Sequence, residues 1–380
     1  MKRSLANLRP VYVAGIGLHA YQALSTASYV ELGLTAARAA LCDSGLPWSA
    51  VEASFVGTAT LGIAGGRAML KHLGPHDAPI LHVENASASG SAAFRQACIE
   101  VASGLVDVAI AVGVDKPAVV ARAYKNTGAP NLVGEAIALP THFALVASEY
   151  AAAHGLTAAD LAVVAVKNHS NGAKNPFAQR RKARTLDEVL ASRPIAGLLT
   201  ALQCCPIGEG AAAAIVVSQA IFQGSVRTTH AVRVASSVTA SEAVNDLVSY
   251  DATLSGNTVR RALSEAQVSA EDIDVVELHD AFSVEELLYI EAMGLAAPGQ
   301  AAHAMRAREF DIGGRCAVSP SGGLLAMGHP TGPTGVGQIV EIVRQLRSEA
   351  IGRQQPAARL GLAHMCGLGT VCYAHVLIRE

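Results

Sequence analysis

Aromatic side chains are scarce: Phe, Tyr and Trp make up 4% of the 380 residues, and there is one Trp. Charge is scarce too, at 16%, and nearly balanced, with a formal net of −2. That balance excludes a general electrostatic pull toward nucleic acid or an anionic membrane, so any anion site must be local. No uninterrupted apolar run approaches the roughly 18 residues that cross a bilayer. The opening MKRSLANLRPVYVAG has no long apolar core of the signal-peptide kind. The seven cysteines (42, 98, 204, 205, 316, 366 and 372) form no CxxC pair and no His/Cys spacing of the zinc type, so no metal site is read from them. Scattered thiols fit free cysteines in a reducing cytoplasm, and neither nucleic acid nor membrane is expected as a partner.

What is present is aliphatic and small. Hydrophobic residues reach 51%, with 35 glycines, so the core is built from Ala, Val, Leu and Ile. The length predicts two domains or one large duplicated unit. Short Val/Ile-rich runs alternate with Ala-rich segments of helical period. VYVAGIG (11–17) reads as a strand and a glycine turn, and YVELGLTAARAALCDSG (29–45) as a helix stopped by Gly45. ASFVGTA (53–59), PILHVENA (79–86) and VDVAIAVGVD (106–115) read as buried strands, with a helix over 91–104 between the last two. Alternation at this rate predicts an α/β sheet covered by helices.

The second half repeats the theme. ARAALCDSGLPWSAV (37–51) matches VRRALSEAQVSAEDI (259–273) at a shift of 222, with Ala40/Ala262, Leu41/Leu263, Leu46/Val268 and Val51/Ile273 in register. GSAAFRQ (90–96) parallels GPTGVGQ (332–338). Two pairs in the same order point to duplication. Between the halves, roughly 120–205, lies a more polar insertion. Its VKNHSNGAKNPFAQRRKARTLDEVL reads as Asn/Gly/Pro turns with a basic cluster: Lys174, Arg180, Arg181, Lys182 and Arg184. Two readings stand for the cluster, a solvated loop or a local phosphate site.

Four loops carry candidate chemistry. VENASASGSAAFRQA (83–97) runs from an apolar stretch through small residues into a helix, which is where a nucleophile is commonly presented; Ser87, Ser89 and Ser91 are the only candidates. ELHDAFSVEELL (277–288) sets His279 and Asp280 where a strand gives way to a helix. SPSGGLLAMGHPTGPTGVGQ (319–338) holds His329 among glycines, and AHMCGLGTVCYAHVL (363–377) holds Cys366 in a glycine turn. Ligands gather at strand-end loops of α/β sheets, and glycines leave N–H groups free to meet an anion. A nucleophile position, two imidazoles and a thiol together fit acyl transfer.

On HDAF, GHPTGPTG and CGLG, with VKNHSNGAKNPFAQ and LQCCPIGEGAAA as further signatures, the chain resembles the thiolase superfamily over nearly its full length, and most closely its sterol-carrier-protein-2-type branch. The resemblance implies a five-layered αβαβα fold with two duplicated halves and an inserted loop domain. The implied limits are an N-terminal half over 1–118, a loop domain over 119–205, the last strand region of the first half over 206–228, and a C-terminal half over 229–380. It also implies a tight homodimer.

By the same resemblance, Ser87 stands where the family has its nucleophilic cysteine, and His329 matches the histidine that activates it. Cys366 matches the acid/base cysteine, and His279 a residue that holds the thioester oxygen. The backbone N–H groups of residue 87 and Leu368 match a second oxyanion site, with Leu368 in place of a usual glycine. The implied activity is CoA-dependent cleavage of a 3-oxoacyl-CoA, or the reverse condensation. Coenzyme A is then a co-substrate rather than a bound cofactor, with its phosphates toward Lys174, Arg180, Arg181, Lys182 and Arg184. The implied partners are an acyl-CoA and a small companion subunit with a zinc ribbon and an OB-fold.

Serine at 87 breaks the pattern. A hydroxyl ionises far less readily than a thiol, so ordinary thiolysis is expected to be crippled. Several accounts stay open: a thiolase with its nucleophile altered, including an engineered Cys-to-Ser exchange that traps substrate; a retro-aldolase that cleaves CoA-linked side chains without an acyl-enzyme; a non-catalytic acyl-CoA or lipid-binding protein; or a serine that merely caps its helix. The joint presence of His279, His329 and Cys366 favours the first.

Overall fold

A computed structural model describes residues 4–117, 139–225, 231–242 and 250–380. The strands are β1 (Val11–Gln22), β2 (Ala53–Gly57), β3 (Ile80–Val83), β4 (Val108–Asp115), β5 (Pro194–Ala196), β6 (Leu199–Thr200), β7 (Glu209–Ser218), β8 (Val232–Ser241), β9 (Val275–Glu277), β10 (Ala317–Val318), β11 (Leu360–Gly367) and β12 (Val371–Arg379). β5 and β6 pair with each other alone. The other ten run β3-β2-β4-β7-β1 and then β8-β12-β11-β9-β10, joined by the one pairing Tyr12–Arg233. In the first five, β3, β2 and β4 are parallel, and β7 and β1 follow antiparallel. In the second five, β10, β9 and β11 are parallel, and β12 and β8 follow antiparallel. One topology is therefore built twice.

The helices make the remaining layers. Helix Tyr29–Ser44 covers the outer face of the first sheet, its Leu32, Ala36, Ala37 and Ala40 sharing a core with Ala14, Val56 and Ile215. Ser28 Oγ accepts from Glu31 N at 3.2 Å to start it, and Gly45 (φ 73°) ends it. Helix Tyr250–Ala266 covers the second sheet in the same way. Between the sheets lie helices Ser89–Ser103 and Thr331–Arg347, whose Phe94, Ala97, Val336 and Ile339 share a core with Ala111, Ala214 and Ala363. The outcome is the five-layered αβαβα arrangement. The 222-residue offset persists in the single turns Trp48–Ala50 and Ala270–Asp272. The offset that carries Ser89 onto Thr331 also carries Ser87 onto His329, so those two positions are duplicates of each other.

Three local expectations are corrected. Residues 11–17 make no turn: β1 runs unbroken to Gln22. Gly15 and Gly17 are needed because a Cβ there would collide with Ala40 O and Ala36 O of the overlying helix. Residues 79–86 do not form a buried strand. β3 is the sheet edge, with Leu81 46% exposed. Finally, VKNHSNGA (166–173) is no turn region but the second half of a largely buried helix, Ala158–Ala173. Lys167, Asn168 and Asn171 point inward because each finds a partner: Lys167 pairs with Glu286 at 2.9 Å, Asn168 donates to Asp280 and Glu286, and Asn171 donates to Ser319 O. The expected boundaries at 118/119 and 228/229 lie outside the described residues.

Two buried histidines predict how stability responds to pH. Burial pushes His169 down to about 4 and His375 down to about 3. Both are neutral in the folded chain, whereas the unfolded chain protonates near pH 6.5. The unfolded state therefore takes up protons first as pH falls. Stability is full above about pH 6.5 and declines toward pH 4, by up to about 1.4 kcal/mol per pH unit for each ring. Melting temperatures measured from pH 7.5 to 4.5 should fall in that window, and His375→Gln should flatten the decline. An unchanged slope in the variant would refute the assignment.

Candidate active site

The loop after β3 is tied down before it reaches Ser87. Asn85 N donates to Ser89 Oγ at 2.9 Å, Ser89 Oγ donates to Ala86 O at 2.6 Å, and Ala86 takes the left-handed region at φ 49°. Asn85 Nδ2 donates to Tyr373 OH at 2.8 Å, anchoring the turn to β12. Ala88, not Ser87, is the N-cap of helix Ser89–Ser103, and no side chain caps it. The capping account of Ser87 is thereby corrected: its hydroxyl meets the imidazole of His329, Oγ to Nε2 at 3.1 Å.

The tautomer of His329 follows from its other nitrogen. Nδ1 lies 3.0 Å from Thr334 Oγ1, and that hydroxyl gives its own proton to Pro330 O at 2.6 Å. Thr334 can then only accept from the ring, so the proton sits on Nδ1 and the lone pair of Nε2 faces Ser87. This is the orientation of a general base. Burial, with His279 adding to it, holds His329 well below the usual histidine range, so the base is neutral. The loop is fixed by Asp115, fully buried at the end of β4. Its carboxylate accepts from Thr331 Oγ1 and Gly332 N on one side, and from Thr58 Oγ1 and Thr60 on the other.

His279 stacks edge-on against His329, centroids 5.3 Å apart at 88°. Its Nδ1 lies 3.1 Å from Glu285 Oε1, and Glu285 is held in turn by Phe282 N and Tyr289 OH. Asp280 points the other way. It accepts from Leu324 N and Asn168 Nδ2, and burial beside Glu286 pushes it well above the carboxylate range. It anchors the loop to helix Ala158–Ala173.

Cys366 lies on β11 rather than in the turn that follows, and it is buried. Its sulfur is 3.3 Å from Ser255 Oγ and 3.5 Å from His364 Nε2, with Cys372 opposite on β12. Cys372 and burial push the thiol well above the usual range. The next residue, Gly367, presses on the Ser87 turn so closely that a Cβ would collide with Asn85 O. Leu368 follows, 57% exposed, at φ 50°. Neither its N–H nor that of Ser87 has a hydrogen-bond partner among the described residues.

The structure thus joins Ser87, His329 and His279 directly, and brings the strand end bearing Cys366 and Leu368 against them. The basic cluster does not converge in the same way. Arg180 donates to Cys204 O, Leu325 O and Ala201 O, which makes it an internal clamp. Lys182 and Arg184 both face Glu188 at 3.4 Å, while Lys174 and Arg181 are exposed. Sequence reasoning missed Thr334, Glu285, Asp115, Ser255, His364 and Cys372. Thr334 sits five residues past His329, a first-turn spacing that was available to be read; Ser255 and Cys372 depend on packing and strand register.

Thr334→Val removes the acceptor that sets the tautomer. Acylation of residue 87, followed in the Ser87→Cys form, should slow about 10- to 100-fold, the equivalent of roughly 1–3 kcal/mol. Thr334→Ser should restore it, and an unchanged rate in the valine form would contradict the tautomer.

Two family models match the chain: "Thiolase, N-terminal domain" over residues 15–186 and "Thiolase C-terminal domain-like" over residues 234–380. Sterol carrier protein 2 of Bos taurus is 33% identical over 393 residues, covering 94% of this chain and 70% of that protein. Benzoylsuccinyl-CoA thiolase subunit BbsB of Thauera aromatica is 34% identical over 371 residues, covering 95% of each. The solved structure of an Ltp2-ChsH2(DUF35) aldolase shares the fold at TM-score 0.85 and 22% identity, over 98% of both chains. The chain belongs to the thiolase family. Among the described residues no helix is long and apolar enough to cross a membrane.

Proposed function

We propose that the chain is a thiolase-type acyl-CoA acyltransferase acting on 3-oxoacyl-CoA with coenzyme A as co-substrate, and that Ser87 occupies the nucleophile position. The observation that carries this reading is the contact of Ser87 Oγ with the bare Nε2 of His329. In the cleavage direction Ser87 Oγ attacks the 3-oxo carbonyl and its proton passes to His329. The bond between the α- and β-carbons breaks, and Cys366 gives its proton to the α-carbon of the departing acyl-CoA enolate. The acyl group, now an ester on Ser87, passes to the sulfur of coenzyme A. The proton of that thiol restores Cys366, and His329 returns its proton to Ser87. The N–H groups of Ser87 and Leu368, together with His279 when its ring carries a second proton beside Glu285, supply the donors for charge forming on oxygen, each worth on the order of 3 kcal/mol. An oxygen ester and a poorly ionised hydroxyl make this cycle slow.

Lys174 and Arg181, exposed and without an ion pair among the described residues, are the side chains of the basic stretch best placed to meet CoA phosphates. A homodimer is supported by the edge strand β3, whose outward Leu81 and unpaired backbone invite a second copy. A small companion subunit is supported by the relatives themselves, one of which is named as a subunit and another solved as a two-protein assembly.

The second reading is retro-aldol cleavage of a CoA-linked side chain. Ser87 favours it, since that reaction needs a base and an oxyanion site but no acyl-enzyme. Product analysis separates the two. The acyltransferase requires free CoA and yields two thioesters from a 3-oxoacyl-CoA. An aldehyde or ketone released from a 3-hydroxyacyl-CoA without free CoA would overturn the first reading.

A further inference from the structure

The buried surroundings of Cys366 contain more hydrogen-bonding chemistry than a core position needs. His364, two residues earlier on β11, is fully buried. Its Nδ1 faces the backbone N–H of His279 at 3.5 Å, so Nδ1 carries the lone pair and Nε2 the proton. That proton points at Ser255 Oγ, 2.9 Å away, and at Cys366 Sγ, 3.5 Å away. Ser255, fully buried on helix Tyr250–Ala266, accepts from the ring and keeps its own hydroxyl proton for the sulfur 3.3 Å away. The ring of Tyr289 packs edge-on against His364 at 5.0 Å, and its hydroxyl bonds Glu285, the residue that holds His279. Cys372 faces Cys366 from β12.

We propose that His364 and Ser255 are positioning residues that donate two hydrogen bonds to the sulfur of Cys366 and stabilise its thiolate. The reading that Cys366 is the acid/base of the proposed thiolase cycle underlies this inference. When Cys366 gives its proton to carbon, the electron pair left on sulfur is met by His364 Nε2–H and the Ser255 hydroxyl; when the thiolate takes an α-proton back, both bonds weaken. Charge-assisted bonds of this kind offset the burial and the neighbouring thiol, which both oppose ionisation. The donor atoms of His364, Cys366 and Cys372 lie within 4.8 Å of one another, the spacing of a soft-metal site. The tautomer argues against that use, because a ligating nitrogen must be bare and its partner N–H must find an acceptor. Here both relations are reversed.

The test needs no group at residue 87: exchange of the α-protons of acetyl-CoA in D2O, followed by mass spectrometry as a function of pH. His364→Phe and Ser255→Ala should move the half-maximal pH upward by about one unit and cut exchange near pH 7 about tenfold, with KM for acetyl-CoA nearly unchanged. His364→Gln, which restores a donor, should recover most of the rate. An unmoved profile in both variants, or a change confined to KM, would overturn the proposal. Thiolate absorbance near 240 nm, taken as the difference from Cys366→Ala, titrates the sulfur directly. It should show the same upward shift in His364→Phe. If the native chain exchanges no α-protons, the thiolase reading fails, and this titration still decides the positioning role: a midpoint that does not move refutes it.

Discussion

Ser87→Cys should raise CoA-dependent cleavage of a 3-oxoacyl-CoA by at least ~10³-fold, equivalent to about 4 kcal/mol of barrier. On the proposed reading, the surroundings of residue 87 suit a thiolate nucleophile. The residue precedes the N-terminus of a four-turn helix, whose dipole favours an anion, and it faces an imidazole whose lone pair is directed at it. Sulfur can use these features because an ordinary thiol ionises near pH 8.5 and a small shift brings the thiolate within reach. A serine hydroxyl cannot, and it must lose its proton during attack. The acyl transfer that follows is also easier from a thioester than from an oxygen ester. Steady-state assays of both forms with the same substrate decide the matter. An unchanged rate in the cysteine form would favour the retro-aldol reading, which makes no use of an acylated side chain.

His329→Ala, introduced into the Ser87→Cys form, should erase most of that gain, a loss of about 10³-fold. Members of a nucleophile–base pair act as a unit, so their effects do not add. The same substitution in the native chain should cost much less, because the hydroxyl is a poor nucleophile even with its base. A cycle of the four forms isolates the coupling. Equal losses in both backgrounds would show that His329 assists the hydroxyl and the thiol alike, against the larger loss expected in the cysteine form. The pH profile carries the same signature. His329 is held well below the usual histidine range by burial and by His279. The base form therefore persists as pH falls, and the acid limb of kcat/KM should lie below pH 6.5. A limb at or above 6.5 would place the titrating group elsewhere.

Much of the fold was legible because the duplication leaves a register. Four matched positions at a shift of 222 fall in the two outer helices and beside the single turns that follow them, and the second pair falls in the two central helices. Local patterns failed where packing overrode them. Gly15 and Gly17 resemble a turn, yet they lie in a strand because a helix backbone rests on them. VKNHSNGA resembles a loop, yet its polar side chains are consumed by buried carboxylates and carbonyls contributed by segments more than a hundred residues away.

The site divided along the same line. Ser87, His279, His329 and Cys366 could be singled out as candidates because each lies in or beside a short run with its own turn chemistry. The groups that orient them could not be. Glu285 and Thr334 lie inside runs already singled out, but only the geometry shows that they hold the two imidazoles. Ser255 reaches Cys366 from a helix more than a hundred positions earlier, and Cys372 through the register of a hairpin. Arg180 resembled a phosphate ligand, yet its guanidinium is spent on three carbonyls, a use no local pattern announces.

Intact-mass analysis after mixing the native chain with a 3-oxoacyl-CoA and no free coenzyme A reaches the central claim most directly. The account predicts a slow gain equal to the acyl group, located by peptide mapping on Ser87, faster and larger in the cysteine form and absent from Ser87→Ala. An adduct on another residue, or none in either form, would contradict it.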